Sequence, residues 1–347
     1  MISVSSRHAS DDGPDAKRAL VCGGAGYIGS HMCKLLARSG WLPVVFDNLS
    51  TGHREAVRWG PLIEGDLLDT YALRAVFARH KPLAVFHFAA LSQVAESVRH
   101  PELYRRNNVD GTANLLAAMD HFGVRPLVFS STAAVYGIPD RLPIHEDWPC
   151  LPINPYGESK LAAEALIAAA AARGRISAAC LRYFNAIGAD PDGEAGECHH
   201  PETHLVPNLI HAALNGNASP AVVYGGDYDT PDGTCVRDYV DVLDLCEAHL
   251  AALNNLEANG DYQVFNLGSG TGHSVLEVLA SVRSACGGLP THRTAGRRPG
   301  DPPTLVAGIR RAATILKWSP RTTLDASVRN ALAWHLTSKV RSSAGSD

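Results

Sequence analysis

Ala19–Gly29 reads A-L-V-C-G-G-A-G-Y-I-G, an apolar run that leads into glycines at Gly23, Gly26 and Gly29. The run has the composition of a buried strand, and a helical pattern follows it. Glycines in such a turn allow a tight bend, a close approach of the backbone to a pyrophosphate, and tight packing of helix on strand. The helix N-terminus then offers free N–H groups to phosphate oxygens. This stretch predicts a dinucleotide-binding turn in an α/β fold.

An acidic residue closes the next predicted strand at Asp47, 18 residues after Gly29. At this distance from the glycine-rich turn, a carboxylate can accept hydrogen bonds from the adenosine ribose hydroxyls. Asp47 also repels a 2′-phosphate, and residues 48–51 contain no arginine that could receive one. We therefore predict NAD rather than NADP as the cofactor.

Short apolar runs alternate with helical patterns through the first half of the chain. The helical segments repeat apolar residues at spacings of three and four, as at Ile28, Met32 and Leu35. Apolar runs without strict alternation are typical of strands buried on both faces of a parallel sheet. Repeated strand–helix units predict a doubly wound parallel Rossmann sheet of the α/β class. The predicted strands lie at Ala19–Cys22, Val44–Phe46, Val85–Ala90, Leu127–Phe129 and Ala178–Phe184.

The composition and the secondary-structure pattern of the sequence change after Asn185. Gly, Pro, Asp and His dominate from Gly188 to Pro207, and later segments mix helical and strand patterns without regular alternation. We predict an NAD-binding domain at 18–185 and a smaller mixed α/β substrate lobe at 186–340 that closes over the carboxyl edge of the sheet. Segments near 223–243 and 273–295 are candidates to return to the first domain. Residues 1–17 are predicted to form a disordered leader and residues 341–347 a frayed tail.

The composition describes a globular chain and excludes several functions. The 347 residues are 46% hydrophobic and 19% charged, with a net charge of −4. No basic run predicts nucleic-acid binding, no apolar run is long enough for a membrane span, and the N-terminus lacks the apolar middle of a signal peptide. We therefore expect a cytoplasmic protein with no nucleic-acid or membrane partner.

Cysteines and histidines can form disulfides or a metal site, and the sequence favours neither. The eight cysteines are scattered without a C-x-x-C pair, and several fall inside predicted strands or helices as small apolar residues. Cys198, His199, His200 and His204 lie close together, but in one irregular loop without a second ligand pair at metal spacing. We interpret this loop as solvated or substrate-lining and predict no metal.

A tyrosine and a lysine four residues apart are the strongest candidates for catalysis. The run Y-G-E-S-K at 156–160 begins a helix after Pro155, so Tyr156 and Lys160 share one helical face. An ammonium beside a phenol lowers the pKa of the phenol, and a phenolate is a competent general base for a hydroxyl group. Thr132 ends an upstream strand at the carboxyl edge of the sheet, where its hydroxyl can share the proton. Taken alone, the Y-x-x-x-K pattern also fits an ordinary amphipathic helix start.

The glycine-rich turn, the hydroxyl after the strand and the Y-x-x-x-K pair together resemble the extended short-chain dehydrogenase/reductase superfamily, from about Arg18 to Ala333. Within it the chain is similar to the UDP-glucose 4-epimerases of the NAD-dependent epimerase family, including bacterial members that serve exopolysaccharide synthesis. Each matching motif is short, but their number and order are specific. They are G-G-A-G-Y-I-G-S-H at 23–31, D-N-L at 47–49, H-F-A-A at 87–90, N-N-V at 107–109, F-S-S-T at 129–132, L-R-Y-F-N at 181–185, D-G-T-C-V-R-D-Y at 232–239 and R-R-P-G-D at 297–301.

The resemblance implies roles for individual residues. Thr132, Tyr156 and Lys160 would be catalytic. The NAD site would be formed by Gly23, Gly26, Tyr27, Ile28, Gly29, Asp47, Asn48, Asp66, Leu67, Phe88, Ala89, Ala90 and Asn108, together with Tyr156, Lys160 and Phe184. The UDP-sugar would be held by Thr132, Asn185, His204, Leu205, Tyr224, Arg237, Arg298, Asp301 and Leu305. Independently of the resemblance, the guanidinium groups of Arg237 and Arg298 suit a pyrophosphate.

Four positions bear on how far the contacts of this family carry over. Ser92 stands where the best-known members have a lysine that contacts phosphate. His204 takes a uracil-side position where asparagine is common, and Thr132 keeps the hydroxyl of the commoner serine. The resemblance places Leu305 beside the C2 substituent of the sugar, where a bulky residue disfavours an N-acetyl group. We expect a preference for non-acetylated UDP-hexoses, with a core position in the second lobe as the alternative role of Leu305.

The implied reaction is an isomerisation of galactose metabolism that interconverts UDP-glucose and UDP-galactose. Tyr156 takes the proton of the sugar 4-hydroxyl while C4 gives hydride to NAD⁺, and the 4-keto intermediate turns before the hydride returns to its other face. The alternatives are a UDP-xylose/UDP-arabinose 4-epimerase, a non-catalytic dinucleotide-sensing protein and a 4,6-dehydratase. A dehydratase needs an acid–base pair after Thr132, where two alanines follow. The family also implies a homodimer, with helix–helix contacts at Asn114–Phe122 and Leu161–Ala172.

Overall fold

The computed structural model describes residues 16–216, 220–260, 262–298 and 301–344. The strands within these ranges are β1 (Lys17–Cys22), β2 (Trp41–Asp47), β3 (Leu62–Glu64), β4 (Ala84–His87), β5 (Pro126–Thr132), β6 (Ser177–Tyr183), β7 (Asn185–Ile187), β8 (Ala221–Tyr224), β9 (Val236–Asp241), β10 (Tyr262–Leu267), β11 (Gly272–Ser274), β12 (His292–Ala295) and β13 (Thr304–Leu305). The helices are α1 (Tyr27–Arg38), α2 (Thr70–His80), α3 (Val94–Arg99), α4 (Pro101–Tyr104), α5 (Gly111–Phe122), α6 (Pro155–Ala172), α7 (Leu205–Leu214), α8 (Val242–Asn259), α9 (Val275–Ala285), α10 (Arg310–Ile315) and α11 (Leu324–Ala344). A π-helical segment, Arg105–Asp110, joins α4 to α5.

Seven parallel strands form the main sheet, in the order β10-β6-β5-β4-β1-β2-β3. At its centre Val21 of β1 pairs with Val45 of β2 and with Phe86 of β4. Successive residues of β1 enter two different buried clusters, Val21 in one and Leu20 in the other, so both faces of the strand are covered. This confirms the predicted doubly wound parallel sheet. The strand order reverses between β1 and β4, and the crevice at such a reversal is where ligands bind in open α/β sheets.

Two strands of the main sheet were not predicted. β3 and β10 lie at opposite edges, where they are covered less completely than the central strands. Their sequences therefore lack the continuous apolar run that indicates a strand buried on both faces. The predicted strand at 85–90 is too long, because β4 ends at His87 and Phe88–Ala90 lies in the loop after it.

The segment that returns to the main sheet is 242–267, which contains α8 and β10. α8 packs against α1, and β10 pairs in parallel with β6. This differs from the predicted returns near 223–243 and 273–295, where β8 pairs with β12, and β9 joins β7, β11 and β13. A strand pattern indicates that a segment pairs with another strand, but the sheet that it joins is decided by tertiary packing.

The second lobe has a buried core of its own, to which α7 contributes Val206 and Ile210, α9 contributes Leu279 and α11 contributes Val328. Its last helix, α11, runs to Ala344 and so passes the predicted boundary at 340. Most of the predicted leader (1–15) and the last three residues of the predicted tail lie outside the described residues. None of the helices that the structure describes has the length and apolarity needed to cross a membrane.

Candidate active site

The glycine-rich turn connects β1 to α1, and its three glycines meet different constraints. Gly23 has φ +79°, and a Cβ there would lie 2.5 Å from the backbone nitrogen of Ala89. A Cβ on Gly29 would lie 2.1 Å from the carbonyl oxygen of Gly23, so glycine is required for α1 to pack on the turn. Gly26 precedes the first helical residue and gives α1 no side-chain cap. The first N–H groups of the helix therefore remain available to an anion.

Asp47 ends β2 directly beside this turn. Its Oδ2 accepts a hydrogen bond from the N–H of Ala25 and its Oδ1 accepts one from the N–H of Leu49, both at 2.9 Å. Burial raises the pKa of Asp47, and these two N–H groups oppose the shift. The carboxylate fixes the turn, and each oxygen keeps a lone pair for a further donor. Asn48 continues this rim by donating a 2.9 Å hydrogen bond to Asp66.

The loop after β4 forms the facing wall of the crevice. The N–H groups of Phe88 and Ala89 both donate to the carbonyl oxygen of Cys22, at 2.8 and 3.0 Å. These bonds bring Phe88–Ala90 against the glycine-rich turn, which explains the steric limit on Gly23. The structure therefore places the predicted H-F-A-A motif and the predicted glycine motif side by side.

Asn108 supports this wall from the π-helical segment. Its Oδ1 accepts the N–H of Leu91 at 2.9 Å, and its Nδ2 donates to the carbonyl oxygen of Leu91 at 3.0 Å. Nδ2 also donates to Ser159 Oγ on α6 at 2.9 Å. Asn108 thus connects the wall to the helix that carries the catalytic candidates. Insertions of this π-helical type are frequent at functional sites.

Thr132, Tyr156 and Lys160 meet where β5 ends and α6 begins. Burial raises the pKa of Tyr156, and a hydrogen bond with Thr132 opposes the shift. Lys160 is 2% exposed, and its Nζ lies 4.5 Å from the centre of the Phe129 ring. Burial lowers the pKa of Lys160 to about 8. The effect that lowers the Tyr156 pKa, predicted from Lys160, comes from Thr132, and the Lys160 ammonium lies over the Phe129 ring.

Two local features hold the start of α6 against the end of β5. Asn154 caps the helix by accepting the N–H of Gly157 at 2.9 Å. A Cβ on Gly157 would lie 2.6 Å from the carbonyl oxygen of Ala134, so the glycine permits a close approach to the turn after Thr132. The glycine in the Y-G-E-S-K run therefore has a packing role that the sequence pattern did not reveal.

A buried charge network near the catalytic candidates was not predicted. Arg182 of β6 donates to both oxygens of Glu164, at 2.6 and 3.0 Å, and to the hydroxyl of Tyr136 at 2.8 Å. Tyr136 donates in turn to Asn266 at 2.7 Å. Glu164 lies four residues after Lys160, and its charge raises the lysine pKa against the larger effect of burial. An arginine inside a predicted buried strand was the available signal, since such a charge needs a partner.

Several residues predicted to contact the substrate lie where the two lobes meet. Phe184 and Leu305 pack against the same small buried cluster, which includes Ala133 next to Thr132. The pairing of β13 with β9 places Leu305 opposite Arg237. Nη2 of Arg237 lies 3.6 Å from Oδ1 of Asp301. Leu305 is therefore close to the catalytic turn as well as to a candidate pyrophosphate ligand.

Tyr224 and Arg298 form a second group on the second lobe. The Arg298 guanidinium lies 4.0 Å from the centre of the Tyr224 ring, which is a cation–π contact. Both side chains are exposed, as is that of Asn185 at the start of β7. The exposed guanidinium retains donors for a phosphate oxygen.

The loop before α7 contains an unexpected cluster of carboxylates and imidazoles. Oε1 of Glu197 lies 2.5 Å from Nδ1 of His204 and 3.1 Å from Nδ1 of His199. Burial lowers the pKa of His204, but Glu197 and Glu202 raise it to about 10 overall. These two glutamates were not among the residues considered for a metal. Cys198, which was considered, accepts a 2.8 Å hydrogen bond from His53 through its carbonyl oxygen.

The chain is similar to known proteins over nearly its whole length. A UDP-glucose 4-epimerase of Rhizobium leguminosarum bv. trifolii is 49% identical over 319 residues, which cover 92% of this chain and 97% of the relative. The crystal structure of UDP-glucose 4-epimerase from Brucella ovis in complex with NAD has a TM-score of 0.89 at 48% identity, covering 92% of this chain and 98% of that chain. A UDP-glucose-4-epimerase structure from Stenotrophomonas maltophila, with bound NAD and formylated UDP-arabinopyranose, has a TM-score of 0.91 at 37% identity, covering 94% and 99%.

A known protein family matches most of the chain. The sequence profile of the NAD dependent epimerase/dehydratase family matches residues 19–268. This span begins in β1 and ends just after β10, so it contains the whole main sheet except the first two residues of β1. It also contains the glycine-rich turn, Thr132, Tyr156 and Lys160. The chain belongs to the NAD-dependent epimerase/dehydratase family.

Proposed function

We propose that this protein interconverts UDP-glucose and UDP-galactose by inverting C4 of the sugar, with NAD as its cofactor. The observation that carries the proposal is the placement of Thr132, Tyr156 and Lys160 beside the crevice of the glycine-rich turn. A hydroxyl pair and a buried ammonium at this position suit proton transfer to and from a substrate hydroxyl. Similarity to UDP-glucose 4-epimerases over nearly the whole chain supports this choice of substrate.

The residues of the crevice fit NAD. The uncapped start of α1 can receive the pyrophosphate, and Gly26, directly before it, adds no side chain there. Gly23 and Gly29 allow the close packing that forms the turn. Asp47 offers carboxylate lone pairs for the adenosine ribose and disfavours a 2′-phosphate. Asn48, Asp66 and the Phe88–Ala90 loop would complete the cofactor walls. When bound, NAD supplies a hydride acceptor that later returns the hydride.

The chain contributes the proton transfer. Tyr156 would accept the proton of the sugar 4-hydroxyl as C4 becomes a carbonyl, and would give it back as the carbonyl is reduced. Thr132 stabilises the phenolate form of Tyr156 by hydrogen bonding. Lys160 has a pKa of about 8, so it remains mostly protonated at neutral pH and adds a positive charge to the site. The buried carboxylate of Glu164 helps to keep that charge.

The second lobe would hold the nucleotide while the sugar turns. Arg237 and Arg298 carry the positive charge that a diphosphate requires, while Tyr224 and Asp301 position the two guanidinium groups. Asn185, His204 and Leu205 are proposed to contact the remaining parts of the UDP-sugar. Binding through the diphosphate leaves the hexose free to present either face of its 4-keto form.

We further propose that the chain forms a homodimer through α5 and α6. These helices pack on each other and expose small residues on their outer faces, among them Ala113, Ala117, Ala162 and Ala165. Small residues allow two helices to approach closely, which suits packing against the same pair in a second copy. We also propose a cytoplasmic enzyme whose UDP-galactose feeds galactose metabolism and exopolysaccharide synthesis.

The test is an assay of the purified full-length protein with UDP-galactose, with products separated by anion-exchange chromatography. We expect UDP-glucose to form with no net reduction of a cofactor. UDP-arabinose and UDP-N-acetylgalactosamine, supplied in parallel, are expected to react more slowly. Faster conversion of UDP-arabinose would favour a pentose 4-epimerase, and inertness toward all three sugars would favour a dinucleotide-sensing protein.

A further inference from the structure

The strongest feature outside the catalytic turn is the cluster of Glu197, His199, Glu202 and His204. Each side chain offers one ligand atom, and these four atoms all lie within 4.8 Å of one another. Glu197 Oε1 lies 2.5 Å from Nδ1 of His204 and 3.1 Å from Nδ1 of His199. The Glu202 oxygens lie 3.4 Å from Nδ1 of His204 and 3.9 Å from Nδ1 of His199. A tetrahedral ion with bonds of about 2.0–2.2 Å separates its ligand atoms by about 3.3–3.6 Å. The four distances in the cluster, from 2.5 to 3.9 Å, extend to both sides of that range.

One atom of this cluster has no hydrogen-bond partner among the described residues. Oε2 of Glu202 is buried and unpaired, and the whole Glu202 side chain is only 7% exposed. Its other oxygen accepts the N–H groups of Thr203 and His204, at 2.7 and 2.8 Å. The backbone therefore fixes this carboxylate so that the free oxygen faces the imidazole of His199. A buried carboxylate oxygen with no donor needs a compensating charge or ligand.

Glu197 is held in place as firmly as Glu202. Its side chain is 5% exposed, and its carbonyl oxygen accepts a 3.0 Å hydrogen bond from Trp334 Nε1. Gly196 lies so close to Trp334 that a Cβ there would overlap the indole ring. The side chains of His199 and His204 are 27% and 50% exposed, which leaves a path for an ion and for a water ligand.

A second acidic cluster in the same loop region gives an internal comparison. Asp190, Asp192 and Glu194 also lie within 4.8 Å of one another. Lys34 already occupies their centre, with its Nζ 2.6, 2.8 and 2.8 Å from the three carboxylates. That cluster is therefore neutralised by an ammonium. In the cluster at 197–204 the cationic partner is the imidazole of His204, which, unlike an ammonium, becomes a metal ligand when it gives up its Nδ1 proton. With His199 and the unpaired carboxylate oxygen, this donor set suits a transition metal.

We propose that Glu197, His199, Glu202 and His204 bind one divalent transition-metal ion of the Zn²⁺ type. Two carboxylates balance the charge of the ion, and two imidazole nitrogens bind it as neutral ligands. Binding releases to the buffer any proton that a ligating Nδ1 carries. Coordination through Nδ1 leaves Nε2 of His204 available to the substrate. The inference does not depend on the proposed reaction.

An ion at this position would hold the loop that lies between the two lobes at the edge of the crevice. The loop that carries the cluster contacts the first lobe through His53, and through Tyr27, whose ring centre lies 6.5 Å from that of His199. The same loop runs directly into α7 of the second lobe. His199 and His204 also line a cleft with the segment 90–93 of the cofactor wall. A bound ion would fix the loop that closes this cleft.

The test uses the full-length protein after treatment with a chelator, titrated with Co²⁺ and followed by visible absorption and thermal unfolding. We expect saturation at one ion per chain, d–d bands of a nitrogen- and oxygen-ligated site, and a Tm rise of at least about 2 °C. Glu202→Gln and Glu197→Gln should each weaken Co²⁺ binding by about tenfold or more. His200→Asn lies in the same loop outside the cluster and should bind Co²⁺ like the unaltered protein.

Two results would overturn the site. One is the failure of the unaltered protein to bind Co²⁺ or Zn²⁺ in stoichiometric amount after dialysis against micromolar metal. The other is binding that both glutamate variants retain at full strength, or that His200→Asn weakens as much as they do. Metal binding by the unaltered protein is measured without any variant. The proposal can therefore be refuted even if a glutamine variant fails to fold.

Discussion

The proposed catalytic role of Tyr156 depends on its hydroxyl oxygen, whereas its ring has a packing role. The ring makes an edge contact with Tyr104, whereas the hydroxyl bonds to Thr132. Tyr156→Phe keeps the ring and removes the ionisable group. We expect turnover to fall by about 10²–10⁴-fold while NAD is retained, measured by product chromatography and by the cofactor content of the denatured protein. Tyr71→Phe, at a side chain that is 86% exposed, is the matched control and should keep full turnover. Turnover near normal in Tyr156→Phe would remove this residue from its proposed role.

We propose that the carboxylate of Asp47 determines the choice of cofactor. Because its two oxygens accept the N–H groups of Ala25 and Leu49, it cannot swing away to admit a 2′-phosphate. We expect protein purified without added cofactor to release NAD(H) rather than NADP(H) on denaturation, as measured by enzymatic cycling of the supernatant. Asp47→Ala should lose both the ribose contact and the fixed turn, and so retain less NAD. Recovery of mainly NADP(H) from the unaltered protein would contradict the assignment.

We propose that Leu305 bounds the space beside the sugar. It packs with Phe184 near Ala133, so shortening it opens a volume next to the catalytic turn instead of one in the core of the second lobe. We expect the unaltered protein to favour UDP-galactose over UDP-N-acetylgalactosamine by about ten- to a hundred-fold in kcat/KM. Leu305→Gly should narrow that ratio, and Leu305→Met, which keeps the bulk, should preserve it. Equal efficiency of the unaltered protein on both sugars would refute the steric argument.

Among the elements, the π-helical segment between α4 and α5 has the clearest mechanical role. Asn108 satisfies both backbone groups of Leu91 and reaches Ser159, so one side chain joins the cofactor wall to α6. Asn108→Leu removes these three hydrogen bonds, and a fourth that Asn108 accepts from Asn107, from a buried site. We expect a loss of about 2–4 kcal/mol in the free energy of unfolding, measured with urea, and a faster release of NAD. Arg106→Ala, on an exposed position of the same segment, should leave both quantities unchanged.

Elements whose sequence carries a local physical signal were predicted. β1, its glycines and α1 were found because a buried strand, a tight turn and an amphipathic helix each leave a pattern. The common position of Tyr156 and Lys160 at the start of α6 was predicted because residues four apart lie on one face of a helix. β10 was missed because an edge strand needs no continuous apolar run. Glu164 was missed because it lies on helix α6 and its partner Arg182 on strand β6, a contact that no helical or strand pattern reveals. Contacts within an irregular loop, such as that of Glu197 with His204, follow from loop geometry that no regular sequence pattern encodes.

At the scale of the whole molecule, buried histidines determine the response to acid. Burial lowers the pKa of His87 to about 3 and that of His249 to about 4. The unfolded chain protonates these groups near pH 6.5, whereas the folded chain does so only at the lower values. The stabilisation is therefore complete above pH 6.5 and is lost as the pH falls toward 4, by up to about 1.4 kcal/mol per pH unit for each group.

We expect the urea midpoint to change little between pH 8 and pH 7 and to fall steeply between pH 6 and pH 4.5. In His249→Asn, the urea midpoint should fall less steeply with decreasing pH than in the unaltered protein. At pH 7.5 its midpoint should be lower, because the hydrogen bonds to Tyr183 and Leu245 are lost. A midpoint that stays constant down to pH 4.5 would show that these imidazoles are not held neutral in the folded protein.

The return of β10 to the main sheet has a consequence for biosynthesis. The strand that covers the outer edge of β6 is encoded about 80 residues later in the chain, after much of the second lobe. During translation the cofactor-binding half therefore emerges with β6 unpaired, and it stays an open template for other strands until residue 267 has left the ribosome. Neither lobe corresponds to one continuous stretch of the gene. Truncation or recombination at residue 185 would leave the first fragment prone to association, and its own crevice would lack α8 as a neighbour of α1.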